Sequence, residues 1–72
     1  MELHDRIRET RNDRDMGQKE LAALLGITQQ QYSLYETGKR PLPASYLSVI
    51  CRALGVSADY LLGLPRGLTW PR

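Results

Sequence analysis

Apolar residues recur at helical spacing in short successive runs along this chain, and glycines, prolines and hydroxyl residues punctuate the runs. Leu3 and Ile7 stand four apart on one face, which Arg11 continues, so a first helix is predicted from about Leu3 to Asn12. It should stop among Asn12, Asp13, Arg14 and Asp15, four residues of poor or charged helix character. A second helix, Gln18 to Leu25, opens after Gly17 and carries Leu21, Ala22 and Leu25 as its buried stripe. Gly26 stands where a left-handed residue ends a helix, Ile27 fills the turn, and Thr28 is placed to cap a third helix, Gln29 to Thr37. Gln31 holds the capping-box position, and Gly38 stops the helix. After a loop at Lys39-Arg40-Pro41-Leu42, Pro43 falls near the first turn of a fourth helix. That helix shows Leu47, Ile50, Cys51 and Leu54 at i, i+3, i+4 and i+7 and ends at Gly55. Ser57 caps a short fifth helix, Ala58 to Leu62, which Gly63 terminates. Nowhere does a period of two persist as a strand would need, so the expected fold class is all-α.

Residues 63–72 carry two glycines and two prolines in ten positions. The expected organisation is therefore one helical domain over residues 1–62 and an irregular C-terminal tail over 63–72. A chain of 72 residues makes one domain and buries only about 60% of the surface of its unfolded form, so its core must be well patterned.

Composition narrows the function. The charged share of 25% argues against disorder, and no apolar run approaches the ~20 residues of a bilayer span. The first fifteen residues are too rich in charge to read as a signal peptide, and the expected location is the cytoplasm. One cysteine and one histidine supply neither a disulfide framework nor a recognisable metal site, so no cofactor is expected. Cys51 sits on the apolar stripe of the fourth helix as a buried structural residue, and His4 is expected on the surface. With no nucleophile or acid–base pair in a plausible setting, an enzyme is not expected. The net charge of +2 is unevenly spread. Residues 1–36 hold five Lys/Arg against seven Asp/Glu, whereas residues 37–72 hold five against Asp59 alone. That asymmetry suggests a surface turned toward a polyanion, although a solvated basic face would look the same.

The stretch from Gln18 to Arg40 changes this picture. Ala22 is small enough for two helices to approach, Gly26 supplies the backbone of a tight turn, and Thr28 starts the next helix. Two short helices so joined leave the second protruding with its first turn exposed. A helix with a polar leading end fits the ~12 Å width of a DNA major groove.

These residues resemble the phage repressor and Cro type of helix-turn-helix, the XRE family. Gln18, Leu21-Ala22, Gly26-Ile27-Thr28, Gln29, Tyr35-Glu36 and Gly38 fall at that pattern's spacing, and Leu54-Gly55-Val56-Ser57 with Asp59-Tyr60-Leu61-Leu62 looks like its closing segment. The resemblance covers roughly residues 3–62 and implies a compact five-helix, lambda-repressor-like domain. It also implies sequence-specific binding of double-stranded DNA and transcriptional regulation, most simply as a repressor, with the recognition helix in the major groove. Within it, Gln29 and Gln30 are the expected base readers, since a glutamine amide can pair with adenine N6 and N7. Ser33 and Leu34 lie one turn on. The place of Leu34 is often polar or basic in the family, so this residue either touches a thymine methyl or is a solitary exposed leucine.

Phosphate contacts are expected from Gln18, at the start of the second helix, and from Thr28, Gln31, Lys39 and Arg40. Gln31 has the capping box as its other role. Tyr32 and Tyr35 are read as mainly structural, with the Tyr32 hydroxyl reaching a phosphate from the edge of the core. The resemblance further implies an ion pair between Arg11 and Glu36 that fixes the recognition helix to the scaffold.

One such module buries too little on DNA for tight specific binding alone, so a homodimer on a palindromic operator is expected. Leu61, Leu64, Leu68 and Trp70 are either its contact surface or a tail folded back on the core. No small-molecule ligand and no membrane partner are evident. The competing reading is a protein-interaction module, such as an antitoxin or scaffold, which the weak net charge and Leu34 favour and the Gln29–Gln31 and Lys39-Arg40 polarity opposes.

Overall fold

A computed structural model describes residues 2–63, and these fold into five helices with no strand among them: α1 (Leu3–Asp13), α2 (Gln18–Leu25), α3 (Gln29–Glu36), α4 (Ala44–Leu54) and α5 (Ala58–Leu62). The proposed tail from Leu64 onward lies outside the described residues. The helices close on a core of Ile7, Leu21, Ala22, Tyr32, Ile50, Leu54 and Leu61. Helix α2 packs on α3 and α4, α1 on α3 and α5, and α4 on α5, so the recognition pair is held from two sides.

The helix ends follow local chemistry. Gly26 ends α2 in the left-handed region at φ 72°, where its N–H donates to Ala23 O at 3.1 Å and the Ile27 N–H to Ala22 O at 3.1 Å. That paired closure turns the chain within one residue and delivers Thr28 to the start of α3. The Thr28 hydroxyl accepts from the Gln31 N–H at 3.1 Å, and the Gln31 side chain returns an acceptor to the Thr28 N–H at 3.0 Å. At the far end of α3, Gly38 takes φ 78°, and the Lys39 and Arg40 N–H groups both donate to Leu34 O, at 3.0 and 3.1 Å.

The boundaries move slightly from the predicted ones. Helix α1 continues one residue further, through Asp13, because Asp15 adopts φ 53° and lets the Met16 N–H close on Arg11 O at 3.1 Å. Helix α3 ends at Glu36, with Thr37 as its C-cap. Pro43 is the N-cap of α4 rather than part of its first turn, its ψ of 143° being extended.

One of the two readings of Leu61 is removed here. Leu61 is fully buried in the core and cannot contribute to an exposed dimer patch; on α5 it is Tyr60 and Leu62 that face outward, about half exposed. His4 lies partly exposed at the surface, and its imidazole rests against the backbone of Gly38, where an added Cβ would meet His4 Cε1 at 2.7 Å.

Candidate nucleic-acid interface

The rear of α3 is built around one carboxylate. Glu36 is 3% exposed, and Arg11 of α1 grips it through two hydrogen bonds, Nε to Oε2 at 2.9 Å and Nη2 to Oε1 at 2.8 Å. A guanidinium fork matched to a carboxylate in this way fixes orientation as well as distance. The third arm of Arg11 donates to Met16 O at 2.7 Å, tying the α1–α2 loop to the same point. Gln18 Nε2 completes the shell at 3.0 Å from Glu36 Oε1. Burial pushes the Glu36 carboxyl upward, but hydrogen bonds from Arg11 and Gln18 outweigh it, and the carboxyl titrates below its ordinary value. The hydrogen bond to Glu36 raises the Arg11 guanidinium in turn. Helices α1, α2 and α3 therefore meet at a node where one buried carboxylate is paired with one guanidinium.

Tyr32 lies beside that node. Its hydroxyl is buried next to Glu36 and Arg11 without completing a hydrogen bond, and burial first, then the Glu36 charge, drives the phenol's pKa strongly up. The expected phosphate contact of Tyr32 is thereby corrected. The side chain is 1% exposed and its hydroxyl is shut away from any surface on which DNA could lie. Tyr35, one turn nearer the surface, stacks edge-on against Tyr46 of α4 with ring centroids 5.5 Å apart.

The front of α3 is the opposite case. Thr28, Gln29, Gln30 and Gln31 are all exposed, and among the described residues neither Gln29 nor Gln30 has a side-chain hydrogen-bond partner. As the first residues of the helix, they also present backbone N–H groups that lack intrahelical acceptors. Ser33 and Leu34 follow half-buried, so neither stands as far forward as the two glutamines. Leu34 is thus not a solitary exposed leucine; its carbonyl anchors the turn that carries Lys39 and Arg40. Both of those side chains are exposed.

Gln18 departs from its expected role in part. Its amide nitrogen turns inward to Glu36, which leaves the start of α2, rather than this side chain alone, to face a phosphate. Gln31 has its oxygen committed to the Thr28 N–H and keeps its amide N–H groups free.

Two anchors escaped sequence reasoning. Arg14 Nε donates to Leu54 O at 2.8 Å and so caps the C-terminus of α4 from the end of α1. The His4–Gly38 contact joins the start of α1 to the end of α3. Neither has a periodic or motif signature, since each joins residues more than thirty positions apart. Among the described residues no group of histidine, cysteine and carboxylate side chains is arranged to hold a metal, and no helix is long and apolar enough to cross a membrane.

Comparison with known proteins gives the arrangement a context. A family pattern described as "Helix-turn-helix" matches residues 7–61. The chain is 38% identical over 58 residues to the SPbeta prophage-derived HTH-type transcriptional regulator YonR of Bacillus subtilis, covering 81% of this chain and 54% of that protein. It is 39% identical over 74 aligned positions to a transcriptional regulator in the ATPase CF(0) region of Rhodospirillum rubrum, covering 93% and 68%. It is 34% identical over 59 residues to the HTH-type transcriptional regulator YobD of Bacillus subtilis, covering 82% and 53%. The chain thus spans about half the length of the two Bacillus relatives and about two thirds of the third.

Proposed function

This chain belongs to the XRE type of helix-turn-helix transcriptional regulators, DNA-binding proteins rather than enzymes, and from that premise we propose that it is a repressor that docks the front of α3 in the major groove of a specific operator. The carrying observation is the contrast within one helix. Gln29 and Gln30 stand exposed and without a side-chain partner among the described residues, while Glu36, two turns behind them, is locked to α1 and α2. Readers of base edges must be free to pair yet fixed in position, and this geometry supplies both.

In this reading Gln29 and Gln30 pair with base edges, most favourably adenine, and Ser33 and Leu34 flank them deeper in the groove. The Thr28 hydroxyl, the Gln31 amide and the N-terminus of α2 beside Gln18 take phosphates on one side of the groove. Lys39 and Arg40 take phosphates on the other side. Each phosphate neutralised adds about −0.9 to the slope of log K against log salt. One module of this size covers roughly 600–1,000 Å² of DNA, so the operator is palindromic and a homodimer binds half-sites about one helical turn, ~34 Å, apart. Occupancy of a promoter by such a dimer excludes polymerase, the simplest regulatory output available to a domain of this kind.

The test is selection of bound duplexes from a random pool, followed by titration of the winner at several salt concentrations and sedimentation of protein alone and with DNA. The proposal requires a two-fold symmetric site, a steep salt slope and two chains per site. A protein that enriches no duplex, and whose binding does not respond to salt, is a protein-interaction module instead.

A further inference from the structure

The turn that carries Lys39 and Arg40 is held at three points. From α3, Leu34 O accepts from the Lys39 and Arg40 N–H groups at 3.0 and 3.1 Å. At the far end, Leu42 packs half-buried against the core. From α1 comes the His4 ring: a Cβ built on Gly38 would meet its Cε1, Nε2 and Nδ1 at 2.7, 2.9 and 3.0 Å, so the ring offers several atoms at once to the Gly38 backbone. The imidazole works there by shape, since Asp5 Oδ1, 3.6 Å from Nε2, lies beyond hydrogen-bond length. Beside the ring a half-open recess of about 330 Å³, lined also by Tyr35, Arg40 and Leu42, leaves the turn room to move once the ring is gone.

We propose that His4 is a positioning residue for DNA binding: by wedging the Gly38 turn away from α1, its ring aims Lys39 and Arg40 at the phosphate backbone. The proposal rests on the reading above, in which these two side chains take phosphates. Both are exposed, and among the described residues neither is held by an ion pair. Their aim therefore comes from the backbone beneath them, and groups that must meet a ligand need support to within about 0.5 Å. Gly38 cannot give that support alone. At φ 78° it is the most pliant kind of residue, and it takes one conformation only where a neighbour fixes it. The His4 ring is that neighbour, and the fit is mutual, because any side chain at position 38 would strike the ring. Gln29 and Gln30 stand at the other end of α3, set by the Thr28–Gln31 cap, so the wedge acts on phosphate contacts and leaves base reading alone.

The experiment compares the full-length parent, His4→Ala and His4→Phe by backbone amide resonances of the free protein and by salt titrations on the selected operator and a scrambled duplex. In His4→Ala the Gly38, Lys39 and Arg40 amides should shift while those of Gln29 and Gln30 stay in place. Its salt slope should fall in magnitude by about 0.9 to 1.8 on both duplexes, as one or two phosphate contacts are lost. The ratio of the two affinities at one salt concentration should not change. His4→Phe, a flat ring without charge, should restore the parent's slope, which it could not do if the imidazole itself touched a phosphate. A parent-like slope in His4→Ala, a loss of operator preference along with the slope, or no rescue by phenylalanine each overturns the proposal. Lys39→Ala/Arg40→Ala tells the two failures apart. If it lowers the slope and His4→Ala does not, only the positioning role falls; if it leaves the slope unchanged, the phosphate reading falls and takes this role with it.

Discussion

The two ends of α3 were made for different work. The front, Thr28 to Gln31, is polar, exposed and held only by its own cap. The rear sinks Tyr32 and Glu36 into the core, where Arg11 and Gln18 fasten Glu36, and at its exposed end Gly38 lies against His4. The lesson is that position and recognition are separable: substitutions at the rear should act through folding, and substitutions at the front through binding. Each variant below either sharpens that division or breaks it.

The largest effect is expected from Glu36→Ala. It leaves the buried Arg11 guanidinium without its counter-charge, which costs about 3–5 kcal/mol and is enough to unfold much of a domain this small. Thermal or urea melts read the loss, and any loss of DNA binding follows from it. The same node sets the acid limit. Glu36 titrates below its ordinary value in the folded protein, so its contribution is complete above the unfolded carboxylate pKa of about 4.3 and fades as pH falls through the lower folded value. Melts between pH 6 and pH 3 should show this decline, and Glu36→Gln should flatten it.

Gly38→Ala comes next, at roughly 1–3 kcal/mol for the left-handed backbone, with the displaced His4 ring added to it. Gly26→Ala is the control. Its φ of 72° is similar, but nothing lies within 4 Å of the new methyl. The difference between the two therefore isolates the His4 contact, and equal losses would remove that contact from the account.

Thr28→Ala deletes the cap of the recognition helix and should cost about 1 kcal/mol in a melt. It straddles the division, because the same hydroxyl is a proposed phosphate contact; binding should weaken somewhat more than stability does. The smallest effect is expected from Asp15→Gly, a gain of about 0.5 kcal/mol or less, as the left-handed strain at φ 53° is relieved against a more flexible unfolded chain.

Much of this was legible in the sequence for a physical reason: local chemistry sets local structure. The glycine ends, the Thr28–Gln31 capping box and the Leu47–Leu54 stripe each act within a few residues, so the five helices could be placed from spacing alone. What escaped depends on long-range packing. Leu61 reads equally as a contact surface or as part of the core, and only the packing of α5 on α1 decides for burial. The spacing of Tyr32 and Tyr35 reads as structural, but that the converging α1 and α3 also shut the Tyr32 hydroxyl away has no local signal. His4 carries no spacing signal toward Gly38, and Gln18 shows none toward Glu36. The exposed glutamines were read from the turn before them, and the structure adds that no group among the described residues hydrogen-bonds to their side chains.

The most direct test of the division is a competition measurement on Gln29→Ala/Gln30→Ala, using the selected operator and a scrambled duplex at one salt concentration. The account predicts an unchanged melting temperature, an unchanged salt slope, and a loss of about 1–3 kcal/mol of discrimination for each bidentate contact removed, some 5- to 150-fold. A double variant that still prefers its operator as strongly as the parent would contradict the claim that the front of α3 reads the bases.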